Sequence, residues 1–176
     1  MVMKFRSISK DLIEMVKVDQ QVIGDTHKFS GAREENATKL QAIIDKIGWP
    51  TISKVGKKAS TCAWLIAQHA DLHIEFQEMC LSLMKCESDT EVKKADMAFL
   101  EDRVRVNRGE EQIYGTQLYL DKKTNSYVPR PIKDSANVDF RRKEVGLDEL
   151  NHYLEEVNKK AKRRQDLTEL FIREKL

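Results

Sequence analysis

The stretch from 101 to 117, Glu-Asp-Arg-Val-Arg-Val-Asn-Arg-Gly-Glu-Glu-Gln-Ile-Tyr-Gly-Thr-Gln, constrains the fold most, because the pattern changes period inside it. A charged helix end runs to Gly109, and the chain then turns to strand-like content at Ile113, Tyr114, Leu118 and Tyr119. Turn residues from Asp121 to Ser126 precede Tyr127-Val128, so the spacing predicts one β-hairpin near 112–130. Pro129 and Pro131 cannot donate to a ladder and hold the return strand at an edge. Acids, arginines and amides at this density beside apolar residues require paired partners, which marks a candidate site.

The rest of the chain reads as helices. Leu12, Ile13, Val16, Val22 and Ile23 recur at helical spacing from an N-cap at Ser9 to Gly24. A connection over 25–32, with Gly31, leads to a second helix through Leu40, Ile43, Ile44 and Ile47. Gly48-Trp49-Pro50 stops it, with Trp49 as a core plug. Residues 57–86 are helix-rich with a break near Ala70-Asp71, after which Leu72, Phe76, Met79 and Leu83 form a core stripe. Ser88-Asp-Thr-Glu91 fits a capping box and predicts a helix start there. Leu147, Leu150, Leu154, Val157 and Ala161 predict a last amphipathic helix with a basic end. The expected fold is mainly α: a single-domain bundle of about five helices with one β-hairpin packed against it. The domain spans 1–153, and 154–176 extends the last helix.

A chain of 176 residues that is 40% hydrophobic fills one core. Its 31 basic and 29 acidic residues nearly cancel, so no global field draws it to nucleic acid or membrane. The basic run near Lys160 lacks interleaved aromatics and reads as a solvated helix tail. Cys62, Cys80 and Cys86 form no disulfide framework and no Cys-x-x-Cys pair. The start has no leader-like apolar run, and no stretch approaches about 18 apolar residues. A soluble cytoplasmic protein is expected.

His69 with Asp71 is the prime acid-base pair, since imidazole titrates near neutrality and a carboxylate fixes its tautomer. Gln68 offers an amide contact. The alternative is a core histidine beside an N-cap aspartate. His69 and His73 also make His-x-x-x-His, a zinc spacing on an unbroken helix, but Ala70 stands where a metalloprotease needs glutamate. No metal ligand is assigned, and no motif names a cofactor. Glu101 is a second candidate general acid or base, with Asp102 and Arg103 beside it to hold an anionic group. A structural ion-pair network is the competing reading. Tyr114, Thr116 and Gln117 offer phenol, hydroxyl and amide groups, and Arg141 a further anion contact. Nucleotide loops and serine-hydrolase elbows are missing.

Gly48-Trp49-Pro50, Gln68-His69-Ala70-Asp71, Glu101-Asp102-Arg103 and Tyr114-Gly115-Thr116-Gln117, followed by Arg141-Arg142 and Gly146-Leu147, resemble a bacterial domain-of-unknown-function family, the one numbered 6624. The resemblance covers roughly residues 10 to 153. It implies no assigned reaction, so its motif positions enter as candidates. The reading is a small hydrolase- or transferase-like enzyme acting on a polar or anionic small molecule. His69, Asp71 and Glu101 are catalytic in it; Gln68, Asp102, Arg103, Tyr114, Thr116, Gln117 and Arg141 bind substrate. The alternative is a non-catalytic module whose polar clusters are structural and whose C-terminal helix carries a protein partner.

Overall fold

The computed structural model describes residues 5–21 and 26–173. Helices α1 (Arg6–Gln21), α2 (Thr26–Ile47), α3 (Ile52–Val55), α4 (Lys57–Gln68), α5 (Ile74–Lys85) and α6 (Lys94–Asn107) come first. Strands β1 (Leu118–Asp121) and β2 (Ser126–Pro129) follow, then a 3-10 turn at Ser135–Asn137 and helices α7 (Val138–Glu144) and α8 (Leu150–Arg173). The protein is mainly α with one antiparallel hairpin, as the sequence predicts.

Helix α4 is the centre of the bundle, touching α1, α2, α3, α5 and α6. Its alanines explain why: Ala59, Ala63 and Ala67, four apart on one face, are all buried, and small side chains let neighbouring helices approach closely. Leu12, Leu40, Val55, Cys80, Met84 and Leu100 close around it. Trp49 is 1% exposed and plugs the end of this core. Burying a side chain of that size contributes on the order of 3 kcal/mol. Gly48 takes φ +69 to turn the chain out of α2, and Lys54 Nζ donates to the Trp49 carbonyl at 3.0 Å.

Several local expectations yield to tertiary contacts. Helix α1 begins at Arg6, so Ser9 lies inside it and buried; Val22, Ile23 and Gly24 fall outside the described residues. Helix α2 begins at Thr26, so residues 26–32 of the connection expected over 25–32 are helical, with Gly31 in open space; residue 25 lies outside the described residues. The Ser88 capping box does not form. Glu91 Oε2 instead accepts the Ser53 N–H at 2.9 Å, Ser88 Oγ meets Thr90 Oγ1, and α6 starts at Lys94. Leu72 is 75% exposed, because α4 ends at Gln68 and the helical phase restarts at Ile74. Gln77, Cys80, Leu81 and Met84 face the core in its place.

The break at Ala70-Asp71 is present, as is the stop at Gly109, where φ is +77. The hairpin is shorter than the sequence predicts, since only 118–121 pairs with 126–129 and residues 112–117 form a loop. Its outer strand is sealed by α8: the Asn158 amide accepts the Tyr127 N–H at 2.7 Å and donates to the Tyr127 carbonyl at 3.0 Å. One side chain thereby completes a strand edge. The helix expected from Leu147 is α8, beginning at Leu150, and the short helix α7, not expected from the sequence, precedes it across Gly146 at φ +74.

Candidate functional site

The motif residues fall into two constellations. The first is centred on Asp102, fully buried on α6. Its Oδ1 accepts the N–H of Ile113 at 2.6 Å and of Tyr114 at 3.0 Å; its Oδ2 accepts the N–H and Oγ1–H of Thr116, both at 2.9 Å. The loop 112–117 is thus wrapped on one carboxylate, much as a phosphate is cradled by backbone amides. Gly115 enables the wrap at φ +69, and a Cβ there would lie 2.9 Å from both Ile132 Cδ1 and Leu150 Cδ1. Burial raises the Asp102 pKa above its ordinary value, with the Thr116, Tyr114 and Ile113 amides pulling the other way.

Around this hub the remaining loop groups are satisfied internally. Gln112, also fully buried, donates to the carbonyls of Gln117 and Arg130 at 3.0 and 2.8 Å and accepts the Gln117 N–H at 2.8 Å. Gln117 Nε2 donates to the Phe99 carbonyl and to Thr116 Oγ1. Arg142 is 1% exposed and donates to the carbonyls of Tyr114 and Asp148, with its guanidinium 5.0 Å from the Tyr153 ring centre. Arg141 reaches the carbonyls of Ile113, Lys133 and Asp134. Asp102, Thr116, Gln117 and Arg141 are therefore engaged in holding the loop, hairpin and α7 together. Gln112 and Arg142 belong to the same network.

The second constellation lies at the α4–α5 turn. His69 caps the C-terminus of α4 and His73 the N-terminus of α5. With Arg33, Glu34, Asp71 and Leu72 they line a cleft of about 210 Å³. The unbroken helix that His-x-x-x-His requires is not there. Among the described residues, no group of three or more His, Cys, Asp and Glu side chains is arranged around a metal position.

Beneath the turn runs a chain of amides. Asn107 Nδ2 donates to Asp71 Oδ1 at 3.1 Å and to Gln77 Oε1 at 2.9 Å, and Gln77 Nε2 donates to the carbonyls of Ala67 and Gln68. Gln68 is 4% exposed and its Oε1 lacks a partner. Arg103 Nη1 lies 3.6 Å from Asp71 Oδ1, while its buried Nε makes no hydrogen bond. Burial pushes the Arg103 guanidinium down from its usual range; Asp71 opposes this, and the like charges of Arg33 and Arg130 reinforce it.

The structure therefore places His69 and Asp71 in the α4–α5 cleft, with Arg103 paired to Asp71 and Gln68 buried at the end of α4, and separately brings together Asp102, Thr116, Gln117 and Arg141. Glu101 does not line the α4–α5 cleft; it pairs with Lys85 at 3.2 Å. Tyr114 is half-buried, its phenol pKa raised by burial and by the nearby charges of Glu101 and Asp102. Burial pushes the Cys80 thiol up to about 12, which disfavours the thiolate, and burial raises Cys62 as well.

The model of a family of unknown function, DUF6624, matches residues 7–162. The chain belongs to this family. The match extends past 153 into α8 and takes in both constellations. No curated protein and no solved structure matches the chain.

Proposed function

We propose that this family member binds an anionic small molecule in the cleft at the α4–α5 turn and acts on it as a small hydrolase- or transferase-like enzyme. The observation that carries this reading is Arg103. Its guanidinium is mostly withdrawn from water, its Nε makes no hydrogen bond, and the charges of Arg33 and Arg130 act on it beside the carboxylate of Asp71. A partly dry guanidinium with an unbonded N–H is stabilised by an incoming anion, and guanidinium forks match carboxylate and phosphate geometry.

In this reading Arg103 and Arg33 hold the anion and His69 moves a proton. Asp71, fixed by Asn107, orients the imidazole or the substrate. Glu101 stands outside this cleft, and the Asp102 network holds the hairpin. A reducing, cytoplasmic setting is supported by Cys62, Cys80 and Cys86, all three free.

Thermal-shift screening of the full chain against small carboxylates, inorganic phosphate and phosphate monoesters tests the proposal. Stabilisation by members of the panel, lost in Arg103→Gln, supports it. Stabilisation that survives in Arg103→Gln, or a panel with no effect, contradicts it.

The second reading is a non-catalytic interaction module with a partner surface on α8. It is favoured by the internal bonding of Asp102, Thr116, Gln117 and Arg141, which leaves those motif groups occupied.

A further inference from the structure

We infer that the groove between α1 and α2 binds a primary ammonium ion carrying an aliphatic body. The groove shares no lining residue with the α4–α5 cleft, and the inference does not depend on the anion proposed there.

The groove has a volume of about 500 Å³, the size of a small-molecule site. Met15 on α1 and Ala32, Ala42 and Ile43 on α2 give it an apolar surface. The two alanines leave open the space that longer side chains would fill. An aliphatic chain laid there removes apolar area from water on both sides of the contact.

The polar lining is acidic, and its charges do not all cancel. Glu14 is paired with Lys17 at 2.8 Å and Glu35 with Lys39 at 2.7 Å. Asp11, exposed on the α1 wall, makes no ion pair and no side-chain hydrogen bond among the described residues. A carboxylate left unpaired beside apolar surface favours a ligand with one cationic head and one apolar body, and it disfavours the matching anion.

Asn36 points to the form of that head. It is 7% exposed, it lines the groove, and its Nδ2 donates to the Met15 carbonyl at 3.2 Å. Its Oδ1 accepts no hydrogen bond among the described residues, so the wall carries a second oxygen acceptor without a donor. Two such acceptors call for N–H groups, which a primary ammonium supplies and a quaternary one lacks. No aromatic ring lines the groove among the described residues, so the cage that holds quaternary ammonium ions has no counterpart here.

The test is calorimetric titration of the full chain with butyl-, hexyl- and octylammonium, and with hexanol, hexanoate and hexyltrimethylammonium beside hexylammonium. Affinity for the primary amines is expected to rise roughly threefold per added methylene until the groove is filled. The three comparison compounds should each bind at least about tenfold more weakly than hexylammonium. Asp11→Asn, at an exposed position without bonds to lose, should weaken hexylammonium by about tenfold and leave hexanol unchanged. Ala42→Phe, also at an exposed position, should block every compound by filling the groove. Equal binding of hexanol or hexyltrimethylammonium overturns the inference, because the acceptors then play no part. Hexylammonium binding that survives in both variants overturns it by placing the site elsewhere, and failure of all three primary amines to bind overturns it outright.

Discussion

Asp102 and Thr116 are joined twice, the threonine N–H and its Oγ1–H both reaching the same carboxylate oxygen at 2.9 Å. The pair ties the middle of α6 to a loop 14 residues later. The paired strands begin only at Leu118, and Asp102 is what accepts the amides of Ile113, Tyr114 and Thr116 in the loop before them.

Asp102→Ala leaves the amides of Ile113, Tyr114 and Thr116 without an acceptor. The expected loss is about 3 to 5 kcal/mol. For a chain of this size that lowers the melting temperature by on the order of 10 °C. Thr116→Val removes one donor and should cost about 1 kcal/mol. Thermal unfolding of both variants checks the order; an Asp102→Ala protein as stable as the parent would show that the loop is held by something else.

Arg142→Lys tests the other side of the network. A lysine offers a point charge where the guanidinium forks between the carbonyls of Tyr114 and Asp148 and stacks on Tyr153. A loss of about 2 kcal/mol or more is expected in denaturant unfolding. Tyr153→Phe deletes only a long bond, from the phenol to the Thr116 carbonyl at 3.3 Å, and should cost less than about 1 kcal/mol. The reverse order would disprove the central place given to Arg142.

Glu91 gives a pH signature. The Ser53 N–H holds its carboxyl below the ordinary value of 4.5, with the Ser53 hydroxyl adding to the effect. A carboxyl with a lowered folded pKa binds fewer protons folded than unfolded. Its contribution is present above about pH 4.5 and is lost as pH falls through the folded pKa. Glu91→Gln should therefore be less stable than the parent at neutral pH, with the difference shrinking below about pH 4.5. A difference independent of pH, followed by urea unfolding across that range, would rule out the titration.

His69→Ala and Glu101→Gln separate chemistry from scaffold. His69 lines the cleft at a helix end, and Glu101 makes a part-exposed pair with Lys85. Glu101→Gln should cost less than about 1 kcal/mol. His69→Ala should lower the melting temperature by no more than about 5 °C while abolishing turnover of any substrate found for the parent. Melting losses comparable to that of Asp102→Ala in both variants would favour the scaffold reading.

Elements with local causes were legible in the sequence: the stop at Gly109, the break at Ala70-Asp71, the Trp49 plug and the hairpin turn. Each follows from spacing or from a residue that fixes its own backbone. What was hidden depends on distant partners. The Ser88-Glu91 pair matches a capping box, yet Glu91 finds Ser53, 38 positions away. Leu72 fits a helical stripe until the break resets the phase.

Arg141-Arg142 looks like a solvated pair, and the signal against that is Val138: four positions earlier on α7, it shares a face with Arg142, and both are buried. Gln112 carried no comparable signal, being one polar residue before a strand-like run. Within the candidate site, the sequence grouped Glu101 with His69; geometry instead puts Arg103 beside Asp71 and directs Glu101 to Lys85. Two helical steps of about 100° each put Glu101 and Arg103 on different faces.

The most direct measurement is the side-chain ¹H–¹⁵N resonance of Arg103 Nε–H, assigned by its loss in Arg103→Gln and followed during titration with inorganic phosphate and with a short carboxylate. An anion seated in the cleft supplies the partner that this atom lacks, so the resonance should shift saturably, with affinity matching that from thermal stabilisation. A resonance that stays fixed while the anions stabilise the protein, or anions that leave both observables unchanged, would contradict the assignment of Arg103 as the anion anchor.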